Sequence, residues 1–247
     1  VKSITFEEHE VSYLLGYLAG SLSQTGVLGF VGDDTENALS NEAAFYGGMM
    51  MSCGRCVLGS EFVLNAQDAV AAKAFARKLQ GRGADIFYAD AGEASQGVID
   101  FVNETKCSPA DHTRPSPLRT ALVNVSKGLD YLAACSSSAP LFFIGSGRFQ
   151  PELGDTDNDP ATLNHGLTSL RKRIDVSAYE VMTDFLEGSF QAGQHHLGLG
   201  DNAVEIAVDD YNRTLLPPEV LAQLEALKTQ IVSGQLVVDT TPLANKP

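Results

Sequence analysis

The chain has 247 residues, 44% of them apolar and 19% charged, and 31 acidic against 17 basic residues give a formal net charge of −14. That is enough for one large domain or two smaller lobes, while the acidic balance argues against binding a phosphate backbone or docking on anionic lipid through a basic patch. No run reaches the roughly 20 apolar residues of a membrane helix. The longest, Val11 to Leu22, is interrupted by Gly16 and Gly20.

In chain order, Glu10 to Gln24 reads as a helix, with Tyr13, Leu14, Tyr17, Leu18 and Leu22 at helical spacing and Gly26 as its stop. Val27 to Val31 reads as a buried strand, 39–52 as a helix, 57–64 as a strand and 66–80 as a helix of strong formers closed by Gly81 and Gly83. Strand 84–89 and helix 95–104 follow. Lys106 to Pro117 holds three prolines without periodicity and reads as a loop. The spacing then predicts a helix over 118–134, a strand over 141–145 (LFFIG), an acidic turn-rich stretch over 150–160, a short strand over 167–171 and an amphipathic helix over 175–190. Strand 204–208, a helix over 217–233 opened by Pro217 and Pro218 and closed by Gly234, and a terminal strand over 236–238 complete the chain.

Short strands alternating with helices imply βαβ units and a parallel sheet covered on both faces. Such sheets bind ligands beyond the carboxyl ends of their strands, here the loops near Gly32, Ala91, Gly145 and Lys172. The four cysteines, Cys53, Cys56, Cys107 and Cys135, are even in number, which permits full pairing in an oxidising compartment; four buried thiols are the alternative. Cys53-Gly54-Arg55-Cys56 follows a helix instead of opening one, which suits a small structural disulfide better than a reactive thiolate.

Four stretches carry a family resemblance: EVSYLLGYLAGSLSQTGVLGFVG (10–32), GADIFYADAGEASQGV (83–98), LTSLRKRIDVSAYEVMTDFLEGSF (167–190) and LPPEVLAQLEALKTQIVSGQLVV (216–238). In this order they resemble the basic membrane protein family of ABC-transporter substrate-binding proteins, which includes purine-nucleoside-binding lipoproteins. The resemblance implies an α/β fold like that of type I periplasmic binding proteins. One complete ligand lobe would span 27–197 with an inserted loop at about 106–139, and 1–26 with 198–247 would form part of a second lobe. Leading strands of that second lobe have no counterpart here, so a separate chain completing it is one expectation.

The resemblance also assigns candidate ligand contacts. Gly92 and Gly97 belong to a glycine-rich turn, whose N–H groups at a helix start can hold ligand oxygens, although Glu93 and Ser95 stand at positions where the family favours glycine and Glu93 would oppose an anion. Lys172 matches a lysine that bonds ribose hydroxyls; with Arg171 and Arg173 it could equally form a solvated basic patch. Gln150 survives from a motif in which Gly147 replaces an aspartate, and Ile99 replaces a base-stacking phenylalanine. Phe45 or Phe149 could supply an aromatic face, unless both are core. Because the family lacks the long loop at 106–139, a clamp between Cys107 and Cys135 is expected, a disulfide contributing about 3–4 kcal/mol in the loop-entropy model.

His9, His112 and His165 are scattered, and no nucleophile elbow or phosphate loop accompanies them. IGSGRF lacks the full dinucleotide-loop glycine pattern, so no cofactor is expected, and consecutive His195 and His196 on a strand would face opposite ways, so no metal is expected either. The expected function is therefore not enzymatic. It is an extracytoplasmic solute-binding protein, lipoprotein-anchored or free, that hands a nucleoside-like ligand to an ABC permease. The alternative is a structural or interaction component of the cell envelope that keeps the fold and has lost its ligand.

Overall fold

A computed structural model describes residues 1–108, 114–136 and 138–243. His112 and part of the inserted loop lie outside the described residues. The central sheet is formed by β2 (Val27–Asp33), β3 (Val57–Val63), β4 (Ile86–Asp90), β5 (Phe142–Ser146), β6 (Gly166–Lys172) and β8 (Val204–Ile206), in the order β3-β2-β4-β5-β6-β8. Five strands run parallel, and β8 joins β6 antiparallel at the edge. The chain leaves β2 toward β3 and returns to place β4 on the other side, so the strand order reverses at the boundary between β2 and β4.

Alternation along the strands splits the core in two. Leu28, Phe30, Ile86, Tyr88, Phe142 and Ile144 face one way and pack with α1 (Glu8–Leu22), α2 (Glu36–Ser52) and α8 (Pro218–Val232). Val31, Phe87, Ala89 and Phe143 face the other way, onto α3 (Ala69–Gln80) and α4 (Ser95–Thr105). Both faces are thus covered, which is why these strands read as near-continuous apolar runs. On the first face α1 and α2 approach to backbone contact. A Cβ on Gly16 would sit 1.9 Å from the Phe45 carbonyl oxygen, and one on Gly48 would sit 1.8 Å from that of Tyr13.

Several elements depart from the sequence reading. The helix expected over 118–134 is two short ones, α5 (Pro117–Leu122) and α6 (Gly128–Ala134), with a turn between them. That turn closes so tightly that a Cβ on Gly128 would lie 1.6 Å from the Leu122 oxygen. The terminal strand over 236–238 does not form; Leu236 N–H bonds back to the Gln230 carbonyl past Gly234, which sits at φ +72. An unexpected pair, β1 (Lys2–Phe6) and β7 (Gly193–Leu197), makes a separate two-stranded parallel sheet, and α7 (Ile174–Glu187) joins it through Lys2 Nζ, 2.8 Å from Asp184 Oδ2. The helix α1 and strand β8, assigned above to the partial lobe, pack on the six-stranded sheet, whereas α7 and β7, assigned to the ligand lobe, leave it.

Both disulfides form, Cys53–Cys56 and Cys107–Cys135. The second staples the inserted segment beside an isolated bridge between Cys107 and Pro140. Arg114, on that segment, reaches back across the first: its guanidinium donates to Cys53 Sγ at 2.6 Å and to the carbonyl oxygens of Ser23 and Gly20 near the end of α1, at 2.8 and 2.5 Å.

Candidate functional site

A cleft of about 590 Å³ opens at the carboxyl ends of β2, β4, β5 and β6. Each strand delivers a polar side chain to it as its apolar run ends: Asp33 from β2, Asp90 from β4, Ser146 from β5 and Lys172 from β6. Glu8, the first residue of α1, and Ile174, the first of α7, close one side. The cleft therefore lies at the switch point between β2 and β4, where an open α/β sheet leaves a crevice between diverging connections.

Its charges are mostly paired. Lys172 Nζ lies 3.1 Å from Glu8 Oε1, and Glu8 is only 8% exposed. Arg148 is bonded to Glu93, and its guanidinium carbon stands 4.7 Å from the ring centroid of Phe149. Two carboxylates, Asp33 and Asp90, have no cationic partner among the described residues. Asp33 Oδ1 accepts from the N–H and the hydroxyl of Thr35, at 3.2 and 2.5 Å, while Thr35 also caps α2 by accepting from Ala38 N–H. Asp90 Oδ2 accepts from Asn41 Nδ2 at 2.9 Å. Burial pushes the Asp90 carboxyl up to about 6; the Asn41 and Ser146 donors pull it down, and the negative charges of Glu8 and Asp33 push it further up.

The residues expected from the sequence separate into two groups. Gly92 and Lys172 line the cleft. Gly92 adopts φ +58, and a Cβ there would press on Ala66 at 3.1 Å, which accounts for glycine at this turn. Gly97 lies outside the cleft: its missing side chain lets α4 pack on α3, since a Cβ would meet the Ala69 oxygen at 1.9 Å. Gln150 is a brace below the cleft. Its Oε1 accepts from Ser169 Oγ at 2.8 Å and from Arg171 Nε at 3.2 Å, and its amide donates to the Gly147 carbonyl. Phe45 is fully buried, stacked in the core with Tyr88 at 5.2 Å between centroids. The aromatic residue at the cleft is Phe149. Ile99 belongs to the core beneath α4 and does not line the cleft. The basic run 171–173 is not a free patch: Arg171 and Arg173 both reach Glu205, at 3.5 and 3.4 Å. His195 and His196 fall on β7, and no metal-binding cluster occurs among the described residues.

Sequence reasoning missed Asp33, Asp90, Asn41 and Glu8. The signal for the first two was available: each is the carboxylate that terminates a buried strand run, GFVGD and IFYAD. Asn41 and Glu8 come from helices whose orientation to the sheet no local pattern specifies.

Residues 1–109 match the family model Bmp, described as ABC transporter substrate-binding protein PnrA-like. Over 245 residues the chain is 26% identical to a "CD4+ T-cell-stimulating antigen" of Listeria monocytogenes, covering 98% of this chain and 60% of that protein. It is 22% identical over 241 residues to the "ABC transporter nucleoside-binding protein BmpA" of Lactococcus lactis, covering 96% and 60%. Among solved structures, a transcriptional activator of the comK gene from Bacillus halodurans superposes with a TM-score of 0.70 at 19% identity, over 96% of this chain and 67% of that one. An ABC transporter solute-binding protein from Conexibacter woesei superposes with a TM-score of 0.66 at 16% identity, over 97% and 66%. These likenesses establish the fold, and the chain spans about 60% of the length of the curated relatives named here.

Proposed function

We propose that the chain acts as a substrate-binding protein of the Bmp type, a reading supported by the match of residues 1–109 to that family model and by its likeness to a nucleoside-binding relative, and that it binds a nucleoside-like solute in the cleft at the carboxyl ends of β2, β4, β5 and β6 and presents it to an ABC permease outside the cytoplasm. The observation that carries this reading is the cleft itself, a polar-floored cavity of about 590 Å³ at the sheet's switch point with an aromatic ring, Phe149, on its wall. That volume lies within the range of small-molecule sites. Two disulfides suit an oxidising compartment, and no helix among the described residues is long and apolar enough to cross a membrane.

The binding motion we propose is hinge closure. The chain passes between the six-stranded sheet and the β1–β7 sheet three times: from Phe6 to Glu8, from Lys172 to Ile174, and from Leu197 to Leu199. Two of these crossings border the cleft, through Glu8, Lys172 and Ile174. A rotation about them would bring the β1–β7 unit, and any polypeptide completing it, over the ligand. The lysine–glutamate pair between Lys172 and Glu8 spans two crossings and would be the contact a ligand hydroxyl competes with. No observation favours the alternative of an envelope protein without a ligand.

The test is thermal unfolding with a panel of purine and pyrimidine nucleosides. A ligand present at 100 times its dissociation constant adds about 2.7 kcal/mol, which for a chain of this size raises Tm by roughly 5–10 °C. Absence of any shift across the panel overturns the nucleoside reading and leaves the fold assignment intact.

A further inference from the structure

We infer that the floor of the cleft selects ligands carrying a cationic, N–H-rich group, a protonated amine on a nucleoside-sized solute, through the unpaired carboxylates of Asp33 and Asp90. The inference rests on the solute-binding reading of the cleft and concerns which solutes it admits.

The argument is a matching of donors and acceptors. Four acidic groups, Glu8, Asp33, Asp90 and Glu93, and two basic ones, Arg148 and Lys172, line the cleft. The two cations are each taken by a carboxylate, Lys172 by Glu8 and Arg148 by Glu93. The remaining two carboxylates both reach the cleft at the strand ends, Asp90 from the face of Tyr88 and Asp33 from the face of Val31, and the charge of Asp33 is felt at Asp90. Asp33 satisfies only Oδ1, on Thr35. Its Oδ2 faces the Gly92 turn, 3.9 Å from the position a Cβ of Gly92 would occupy, and accepts no hydrogen bond among the described residues.

A second observation concerns the support beneath Asp90. Asn41 is completely buried on α2 and its amide nitrogen donates to Asp90, but its Oδ1 has no donor at all. A buried unsatisfied acceptor costs about 1–3 kcal/mol. Beneath the cleft Asn41 and Asp90 thus hold more acceptors than donors, and at its surface Asp33 adds a further carboxylate without a cation. Such a floor is complementary to a group that brings several N–H donors and positive charge, and it repels phosphates and carboxylates. A neutral hydroxyl can donate once to each carboxylate but leaves the excess charge in place.

The experiment measures binding by calorimetry for matched pairs: adenosine against 5′-amino-5′-deoxyadenosine, and glucose against glucosamine, with adenosine 5′-monophosphate as the anionic control. The amine-bearing member of a pair is expected to bind at least tenfold tighter than its neutral counterpart, the monophosphate weakest, and the preference to shrink as salt rises. Asp33→Asn, at the cleft surface, and Asp90→Asn are each expected to cut the amine-to-neutral ratio several-fold, read as a ratio within one variant so that a general loss of fold does not imitate it. Equal binding of amine and neutral partners, or a ratio unchanged in Asp33→Asn, overturns the inference while leaving the solute-binding reading standing. Preference for glucosamine with no nucleoside bound supports the carboxylate selection and overturns the nucleoside reading. Failure of every probe to bind overturns both.

Discussion

At the scale of single residues, the molecule's buried titratable groups pull in opposite directions with pH. His165 is 3% exposed, and its Nδ1–H donates to the Leu141 carbonyl at 3.0 Å, which fixes the neutral tautomer. Burial lowers its pKa to about 4. Below pH 6.5 the unfolded chain takes up a proton that the folded one refuses, so stability contributed by neutral His165 is present at neutral pH and lost as pH falls toward 4. Asp85 behaves conversely. It is buried beneath the α1–β2 turn, accepts from Ser23 Oγ and the N–H groups of Gln24 and Thr25, and burial pushes it up to about 6. Its contribution is complete below pH 3.8 and lost as pH rises through 6, as is that of Asp90. A whole-protein pH profile mixes these effects, but a variant separates them. His165→Asn keeps a donor for Leu141 and removes the titration. It should be less stable than the natural protein at pH 7.5 by about 1–3 kcal/mol, because ring contacts with Tyr131 and Phe142 are lost. That deficit should narrow by about 1.4 kcal/mol per pH unit between 6.5 and 4. Urea melts at pH 7.5 and 4.5 measure it, and a constant deficit would show that His165 titrates normally in the fold. None of this was visible in the sequence, where His165 was one scattered histidine among several. Lys172 and Gly92 lie at the cleft, where resemblance and strand-end position both pointed. Gln150 and Phe45 do not line it, because the sequence shows residue type but not which face of an element meets the cleft.

At the scale of elements, glycine placement in α1 and α2 decides how the first face of the core is built. Gly16 and Gly20 read from sequence as interruptions that argue against a membrane helix. In the fold, Gly16 and Gly48 are where the two helix backbones touch, each within 2 Å of where a Cβ would strike a carbonyl oxygen. Neither oxygen can swing aside as a side chain could, so the helices must separate to admit a methyl group. Gly16→Ala and Gly48→Ala should each cost about 1–3 kcal/mol or more, although alanine favours helix over glycine by up to about 1 kcal/mol. Gly54→Ala is the matched control: only the Met50 oxygen, at 3.9 Å, lies near its Cβ. Chemical denaturation of the three variants checks this, and equal stabilities would mean that α1 and α2 are not in backbone contact. The strands of the large sheet were legible because burial on both faces compresses each into one apolar run bounded by turns. The pair β1 and β7 was not, because its residues alternate between half-buried and exposed and include Lys2, Gln194 and two histidines, a pattern no different from an irregular edge. The helix over 118–134 broke for a local reason: Val123, Asn124, Val125, Ser126 and Gly128 are weak helix formers, and Gly128 lets the turn close on the Leu122 carbonyl.

At the scale of the whole molecule, two bodies of unequal completeness meet at the cleft. The six-stranded body has both faces covered. The β1–β7 body does not: it is two parallel strands and one helix, and α7 buries only Ser177. Tyr179, Met182 and Leu186 recur at i, i+3 and i+7 along α7, with Phe185 beside them, and all four are more than half exposed, Leu186 at 84%. The sequence was right that this helix is amphipathic, and its apolar face is left mostly open among the described residues. A contiguous apolar stripe beside the unpaired edges of a two-stranded sheet is a surface that associates. The 247-residue chain should therefore self-associate at micromolar concentration, and Phe185→Asp with Leu186→Asp should reduce that association. Because those side chains are already in solvent, the pair should leave the unfolding temperature within about 2 °C, whereas a charge placed in a packed interface costs several kcal/mol. Light scattering and thermal unfolding of the natural chain and the double variant decide it. A monodisperse natural chain together with a large drop in Tm for the variant would mean that α7 is packed against polypeptide of its own chain. The same variant bears on the hinge reading, since a β1–β7 body that closes over the cleft does so from the Ile174 end of α7, and substitutions at 185 and 186, near the helix's far end, should leave solute binding at the cleft unchanged.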